Sequence, residues 1–157
     1  DYEAEVAMVI GKKAKYIKEE NAQDYIFGYC IVNDISERSW QKDRGGQWIK
    51  GKSIAGNCGP LLVSKDEIEN INNLNLTLDV NGERRQTGNT SRMIFNFNFL
   101  ISHISHFMTL FPGTIITTGT PAGTAMEMKE PKFLQIGDKI NIKIDYLGEQ
   151  NQIIVGE

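Results

Sequence analysis

The sequence is poor in the residues that usually announce a site: two cysteines, two histidines and four prolines in 157 residues. Cys30 and Cys58 form neither a CxxC pair nor a Cys/His ligand spacing, so free thiols are expected rather than a disulfide or a zinc site. No apolar run approaches the ~18 residues that cross a bilayer, and there is no signal peptide. Basic residues do not predominate. Lys and Arg total 17 against 20 Asp and Glu, giving a net charge of −3, which argues against nucleic acid or an anionic membrane as the main partner. A GxSxG elbow is missing, and so is a Ser-His-Asp arrangement. Together these absences make a cytoplasmic, soluble protein the default. The first residue is not Met and lies almost at the start of a strand, so the chain is expected to begin inside a longer protein.

What is present is a succession of short β-like runs. "EVAMVIG" stops at Gly11, and "YIFGYCIVNDIS" is rich in β-branched and aromatic residues. "LNLTLDVNGERRQ" places Leu74, Leu76, Leu78 and Val80 on one face and turns at Asn81-Gly82, a strong hairpin signal. "GTIITTGTP", "DKINIKIDYLG" and "NQIIVGE" complete the strands. A short helical turn is predicted after Ser64, with Glu67 closing a capping box. Between Asn96 and Leu110, the spacing of Phe97, Leu100, Ile101, Ile104, Phe107 and Met108 predicts one helix with a buried face. The segments "QKDRGGQW" and "TAMEMKEPKF" read as mobile loops. The length suits one domain able to bury a core without staples, and the fold class is mostly β (α+β) with one main helix.

Three carboxylates carry the candidate chemistry. Glu3 and Glu5 point to the same side of an extended segment, and Asp34 ends the second strong strand. An oxygen-only set of this kind suits Mg²⁺, Mn²⁺ or Ca²⁺ better than zinc. On spacing alone, two Glu at i, i+2 near a strand start are usually a solvated face. Arg38 and Gln41 follow Asp34 at about one and two helical turns, which is equally the pattern of a loop with an N-cap Asp. Lys52, after Gly51, is by default a surface lysine, since the glycines before it do not make a P-loop. In "TTGTPAGT", Gly119 and Thr120 either end a strand or offer N–H and hydroxyl groups to an anion. His103 and His106 lack an acidic neighbour and read as helix-surface or interface residues.

The order of these pieces is more specific than any one of them. "DYEAEVAMVIGK", "GYCIVNDISER..Q", "W..GKS", "LDVNGERRQTGNTSRMIF", "LISHIS" and "PGTIITTGTPAG…FLQIGDKI" together resemble the fumarylacetoacetate hydrolase family, from Asp1 to about Leu147. The resemblance implies its C-terminal catalytic domain over 1–157, a mixed β-roll or β-sandwich, assembled as a homodimer. It makes Glu3, Glu5 and Asp34 ligands of Mg²⁺ (or Mn²⁺, Ca²⁺), and Arg38 and Gln41 substrate-pocket residues. Lys52 would reach the substrate's oxo group as the catalytic cation, and Thr120, after Gly119, would hold the substrate carboxylate. The implied activity is metal-dependent hydrolysis or lyase chemistry on a small 2-oxo acid such as an acylpyruvate, with developing enolate charge stabilised by metal and Lys52. Decarboxylation of an oxaloacetate-like acid, keto–enol isomerisation, or a degenerate dicarboxylate-binding member are the alternatives. Ser39, "IAGN" and Arg92 depart from common family residues, and they concern the substrate's distal end. Hydrolytic members use a His-x-x-Glu pair on an N-terminal lid. No His precedes His103 here, so that lid is expected upstream of Asp1 or absent.

Overall fold

Alternating side chains of residues 2–10 face two different environments. Tyr2, Ala4, Val6, Met8 and Ile10 enter the main core, while Glu3, Glu5, Ala7 and Val9 take the other face. In the computed structural model, which describes residues 1–42, 51 and 57–156, this segment forms strand β1 (Ala4–Ile10). It pairs antiparallel with β2 (Ile26–Asn33), with Ala4 opposite Asn33 and Ala7 opposite Cys30. A 3₁₀ turn, Glu19–Tyr25, connects them. β2 also borders two very short strands, β3 (Asn57–Cys58) and β4 (Val63–Ser64). Gly28 permits the second contact, because a Cβ there would meet the Val63 carbonyl oxygen at 2.1 Å. On its other side β1 pairs with β7 (Ile115–Thr117), completing a five-stranded sheet.

A second, four-stranded antiparallel sheet has the order β6-β5-β8-β9. It comprises β5 (Asn75–Val80), β6 (Glu83–Asn89), β8 (Lys139–Ile144) and β9 (Gly148–Ile153). Leu76, Leu78 and Val80 with Ile140, Ile142 and Ile144 form its buried face against the first sheet. Each such side chain contributes about 1.5–3 kcal/mol on burial. The β5–β6 turn is the expected Asn81-Gly82 pair, both at positive φ (51° and 79°), as a two-residue hairpin that follows the strand twist requires.

Helix α1 (Arg38–Lys42) follows β2, and the principal helix is α2 (Phe97–Phe107). The Asn96 side chain accepts from the Phe99 N–H and caps α2. Phe97 and Ile101 are buried with Ser105. Phe107 and Met108, placed by sequence on the buried face, are exposed instead, because the helix stops at Phe107 and Met108 turns extended. The last strand also differs from expectation. It occupies 148–153 rather than "NQIIVGE", because positive φ at Tyr146 and Gly148 closes the β8–β9 hairpin earlier. The Ser64/Glu67 capping box is present, but it starts only a single 3₁₀ turn, Lys65–Glu67. In "TAMEMKEPKF", residues Ala125–Glu127 form a 3₁₀ turn capped by Thr124. Most of "QKDRGGQW" lies outside the described residues. The resulting architecture is two curled antiparallel sheets with few helices, the α+β class expected from the sequence. Among the described residues, no helix is long and apolar enough to cross a membrane.

Candidate metal centre

The β1–β2 register determines what happens to the carboxylates. With Ala4 opposite Asn33, the chain leaves β2 at Asp34, whose N–H donates to the Glu3 carbonyl at 2.9 Å. Glu3, Glu5 and Asp34 thereby share one face, and one carboxylate oxygen from each lies within 4.8 Å of the others. Glu3 and Glu5 are only 8% and 3% exposed, so neither is the solvated strand edge that spacing alone suggested.

Buried like charges require donors or cations. The Arg38 guanidinium supplies three contacts: Nη2 to Glu3 Oε1 at 2.6 Å, Nε to Asp1 Oδ2 at 2.9 Å, and Nη1 to Gln41 Oε1 at 2.9 Å. Gln41 is buried on α1. Asp1 in turn accepts from the Ala125 and Met126 N–H groups at 2.8 and 3.1 Å, which ties the arginine to the 3₁₀ turn after Thr124. Arg38 and Gln41 are therefore brought to the carboxylates, and the arginine orients Glu3. Asn33, unremarked in the sequence, accepts from the Glu3 N–H at 3.0 Å and fixes the strand end from below.

The TTGT turn meets the same strand from the β7 side. β7 pairs with β1 only as far as Thr117 opposite Ala7. Beyond it, threonine hydroxyls replace the backbone ladder: Thr118 Oγ1 donates to the Val6 carbonyl at 2.7 Å and Thr120 Oγ1 to the Ala4 carbonyl at 3.0 Å. Gly119, at φ 90°, directs its N–H onto Glu5 Oε2 at 2.8 Å. The anion this N–H serves in the structure is thus the chain's own carboxylate. Gly119 and Thr120 also border a cavity of about 460 Å³, lined further by Asn89, Arg92, Met93, Phe95 and Leu100. None of Glu3, Glu5 and Asp34 lines it.

The donor set fits a hard divalent cation. It contains only carboxylate oxygens, and a 4.8 Å spread is what oxygens around one ion at about 2.0–2.6 Å would show. Gly119 and Arg38 already hold one oxygen of Glu5 and one of Glu3, which pre-sets both side chains. Lys52, the expected catalytic cation, lies outside the described residues. His103 and His106 are exposed on α2, with the His106 Nδ1 against the Ser102 carbonyl at 2.7 Å, as a helix-surface role requires. On the same face of the first sheet as Glu5, Cys30 is buried and Cys58 exposed, with both thiols free and their sulfurs 3.0 Å apart. Burial, and then its neighbour Cys58, push the Cys30 thiol up to about 12.

Residues 1–155 match the family model described as fumarylacetoacetate (FAA) hydrolase, C-terminal. A Burkholderia cenocepacia protein that carries a provisional hydrolase name is 50% identical over 155 residues, covering 97% of this chain and 55% of its own length. The solved fumarylacetoacetate hydrolase of psychrophilic Exiguobacterium antarcticum superposes with TM-score 0.93 at 37% identity, over 99% of this chain and 56% of that one. The 2-hydroxyhepta-2,4-diene-1,7-dioate isomerase of Mycobacterium marinum does so with TM-score 0.86 at 36% identity, over 98% and 57%. The chain thus spans about half the length of the relatives it matches. With a match along nearly its whole length, the chain belongs to the fumarylacetoacetate hydrolase family, whose C-terminal domain it represents.

Proposed function

We propose that this chain is the metal-binding part of a divalent-metal-dependent hydrolase or lyase acting on a small 2-oxo acid such as an acylpyruvate. The observation that carries the reading is the buried Glu3–Glu5–Asp34 cluster, with oxygens from all three within 4.8 Å. These residues would hold Mg²⁺, or Mn²⁺ or Ca²⁺ in its place. When bound, such an ion supplies Lewis-acid polarisation of a carbonyl oxygen.

The chain's own groups supply orientation and charge. Arg38 holds Glu3, and the Gly119 N–H holds Glu5, so both carboxylates are set before a ligand arrives. The Thr120 hydroxyl, half-buried beside the turn, is the donor suited to the substrate carboxylate. Lys52 is the candidate cation for charge developing on the 2-oxo oxygen. C–C hydrolysis also needs a general base. His103 and His106 do not fill that role, since both point outward on α2. A second reading, keto–enol isomerisation, is favoured by the isomerase among the structural relatives. Decarboxylation of an oxaloacetate-like acid uses the same carboxylate-held site. We further assign a homodimer and, from the two free thiols, a cytoplasmic location.

The test is turnover of acylpyruvates, 2-hydroxydienoates and oxaloacetate, with and without EDTA. Loss on chelation and recovery with Mg²⁺ are expected. Activity that survives full chelation, or persists in the Glu3→Ala/Glu5→Ala double variant, overturns the reading. Which substrate is turned over separates hydrolase, isomerase and decarboxylase.

A further inference from the structure

Gln86 has no role assigned from the sequence, yet it is completely buried (0% exposed) and its amide makes three hydrogen bonds. Its Oε1 accepts from the Ala4 N–H at 3.0 Å, between Glu3 and Glu5 in β1. Its Nε2 donates to Thr120 Oγ1 at 2.8 Å and to the Pro121 carbonyl at 2.7 Å. The backbone partners leave no freedom in orientation: an N–H can only donate and a carbonyl can only accept. The amide group must therefore face the turn, and Thr120 Oγ1 must accept from it. The single hydroxyl proton of Thr120 is then directed elsewhere, and in this structure it goes to the Ala4 carbonyl.

We propose that Gln86 is a positioning residue that makes Thr120 a donor toward the ligand. It holds the hydroxyl oxygen by one Nε2 hydrogen, so the Thr120 proton cannot be directed back at Gln86 and must go to another acceptor. That proton rests on the Ala4 carbonyl when no ligand is present and swings to an acceptor oxygen, a carboxylate, when one arrives. The exchange trades one hydrogen bond for a charge-assisted one, the stronger kind. Gln86 thus favours ligands that present an acceptor at Thr120. The proposal rests on the reading of this cluster as a site for a 2-oxo acid.

Calorimetric titration with oxalate in saturating Mg²⁺ tests it, using wild type, Thr120→Val, Gln86→Met and the Gln86→Met/Thr120→Val double variant. Gln86→Met keeps the volume and removes all three bonds without burying a charge. Expected results are at least tenfold weaker oxalate binding in each single variant and no further loss in the double variant, because Gln86 acts through Thr120. Mg²⁺ binding measured alone should weaken less than oxalate binding in each variant. Oxalate affinity unchanged in Gln86→Met, or losses that multiply in the double variant, overturn the proposal. If Gln86→Met does not fold, ¹⁵N NMR of the wild-type protein decides. The Gln86 side-chain amide signal should shift on adding oxalate and lose that response in Thr120→Val, and a signal blind to oxalate refutes the assignment. A wild-type protein that binds Mg²⁺ but no oxalate would instead overturn the 2-oxo acid reading itself.

Discussion

Residues 3–6, at the start of β1, and β5 both alternate polar with apolar residues, and the two use the alternation differently. On β5 the polar positions, Asn75, Thr77 and Asp79, lie on a face open to water, and Asp79 pairs with an Arg84 whose side chain is 51% exposed. At the start of β1 the polar positions are Glu3 and Glu5, and both are buried. The Arg38 that meets Glu3 is 9% exposed. A similar local pattern therefore means an exposed or half-buried surface in one sheet and a built site in the other. The difference arises from what packs on the outer face. β1 lies between β2 and β7, and α1 and the TTGT turn reach its carboxylates, whereas the outer positions of β5 stay exposed or half-buried. Buried charge is costly, so it persists where partners compensate it and function retains it.

The two arginines give the sharpest contrast. Arg38→Ala removes the buried guanidinium from Glu3 and Asp1 and should cost about 3–5 kcal/mol. Arg84→Ala should cost at most about 1 kcal/mol, as exposed pairs do. Urea unfolding of both variants in EDTA checks this, and equal losses would erase the distinction between the faces. Next in size is Glu5→Gln, which keeps an acceptor for the Gly119 N–H but removes a charge. Its Mg²⁺ affinity should fall beyond the roughly 10–100-fold typical of losing an outer partner. In EDTA its melting temperature should rise by about 2–4 °C, the shift expected for ~1 kcal/mol of relieved repulsion at this length. A melting temperature that falls in EDTA would show that Glu3 and Glu5 do not repel in the folded protein.

Thr118→Val probes the ladder that side chains continue beyond β7. Losing its bond to the Val6 carbonyl should cost about 1 kcal/mol by denaturant titration. A neutral result would mean that water replaces the hydroxyl without loss. The smallest effect belongs to the open sheet. The Gln135 N–H, and then the Asn81 side-chain amide, hold the Asp138 carboxyl below its ordinary value of 3.8. Because the folded value is the depressed one, this stabilisation is present above pH 4 and fades as pH falls through the folded value. The stability difference between wild type and Asp138→Asn should therefore be seen at pH 7 and shrink as pH falls below about 4. A difference independent of pH would place its origin outside the carboxylate.

Much of this fold is legible in the sequence because strand periodicity and turn chemistry are local. The Leu74–Val80 alternation and the Asn81-Gly82 turn describe the β5–β6 hairpin almost completely. Local signals also mislead. "IIV" near the C-terminus looks like a strand core, yet Ile153 and Val155 are 61% and 80% exposed, since the turn geometry at Tyr146 and Gly148 sets the register. β3 and β4, two residues each, carry no periodicity to read. In the site, Glu3, Glu5 and Asp34 were visible as residue types in family order. The roles of Gln86 and Asn33, and Glu5 as the anion that the Gly119 N–H serves, were not, because each works through partners distant in sequence.

The sequence by itself determined the longer strands, the main helix, the family and the oxygen-only character of the ligand set, all properties of residue type and short-range spacing. Only the tertiary structure decided that the carboxylates converge. A one-residue slip of β2 against β1 would turn Asp34 to the opposite face, and that register is held by long-range packing of the two sheets rather than by any local pattern.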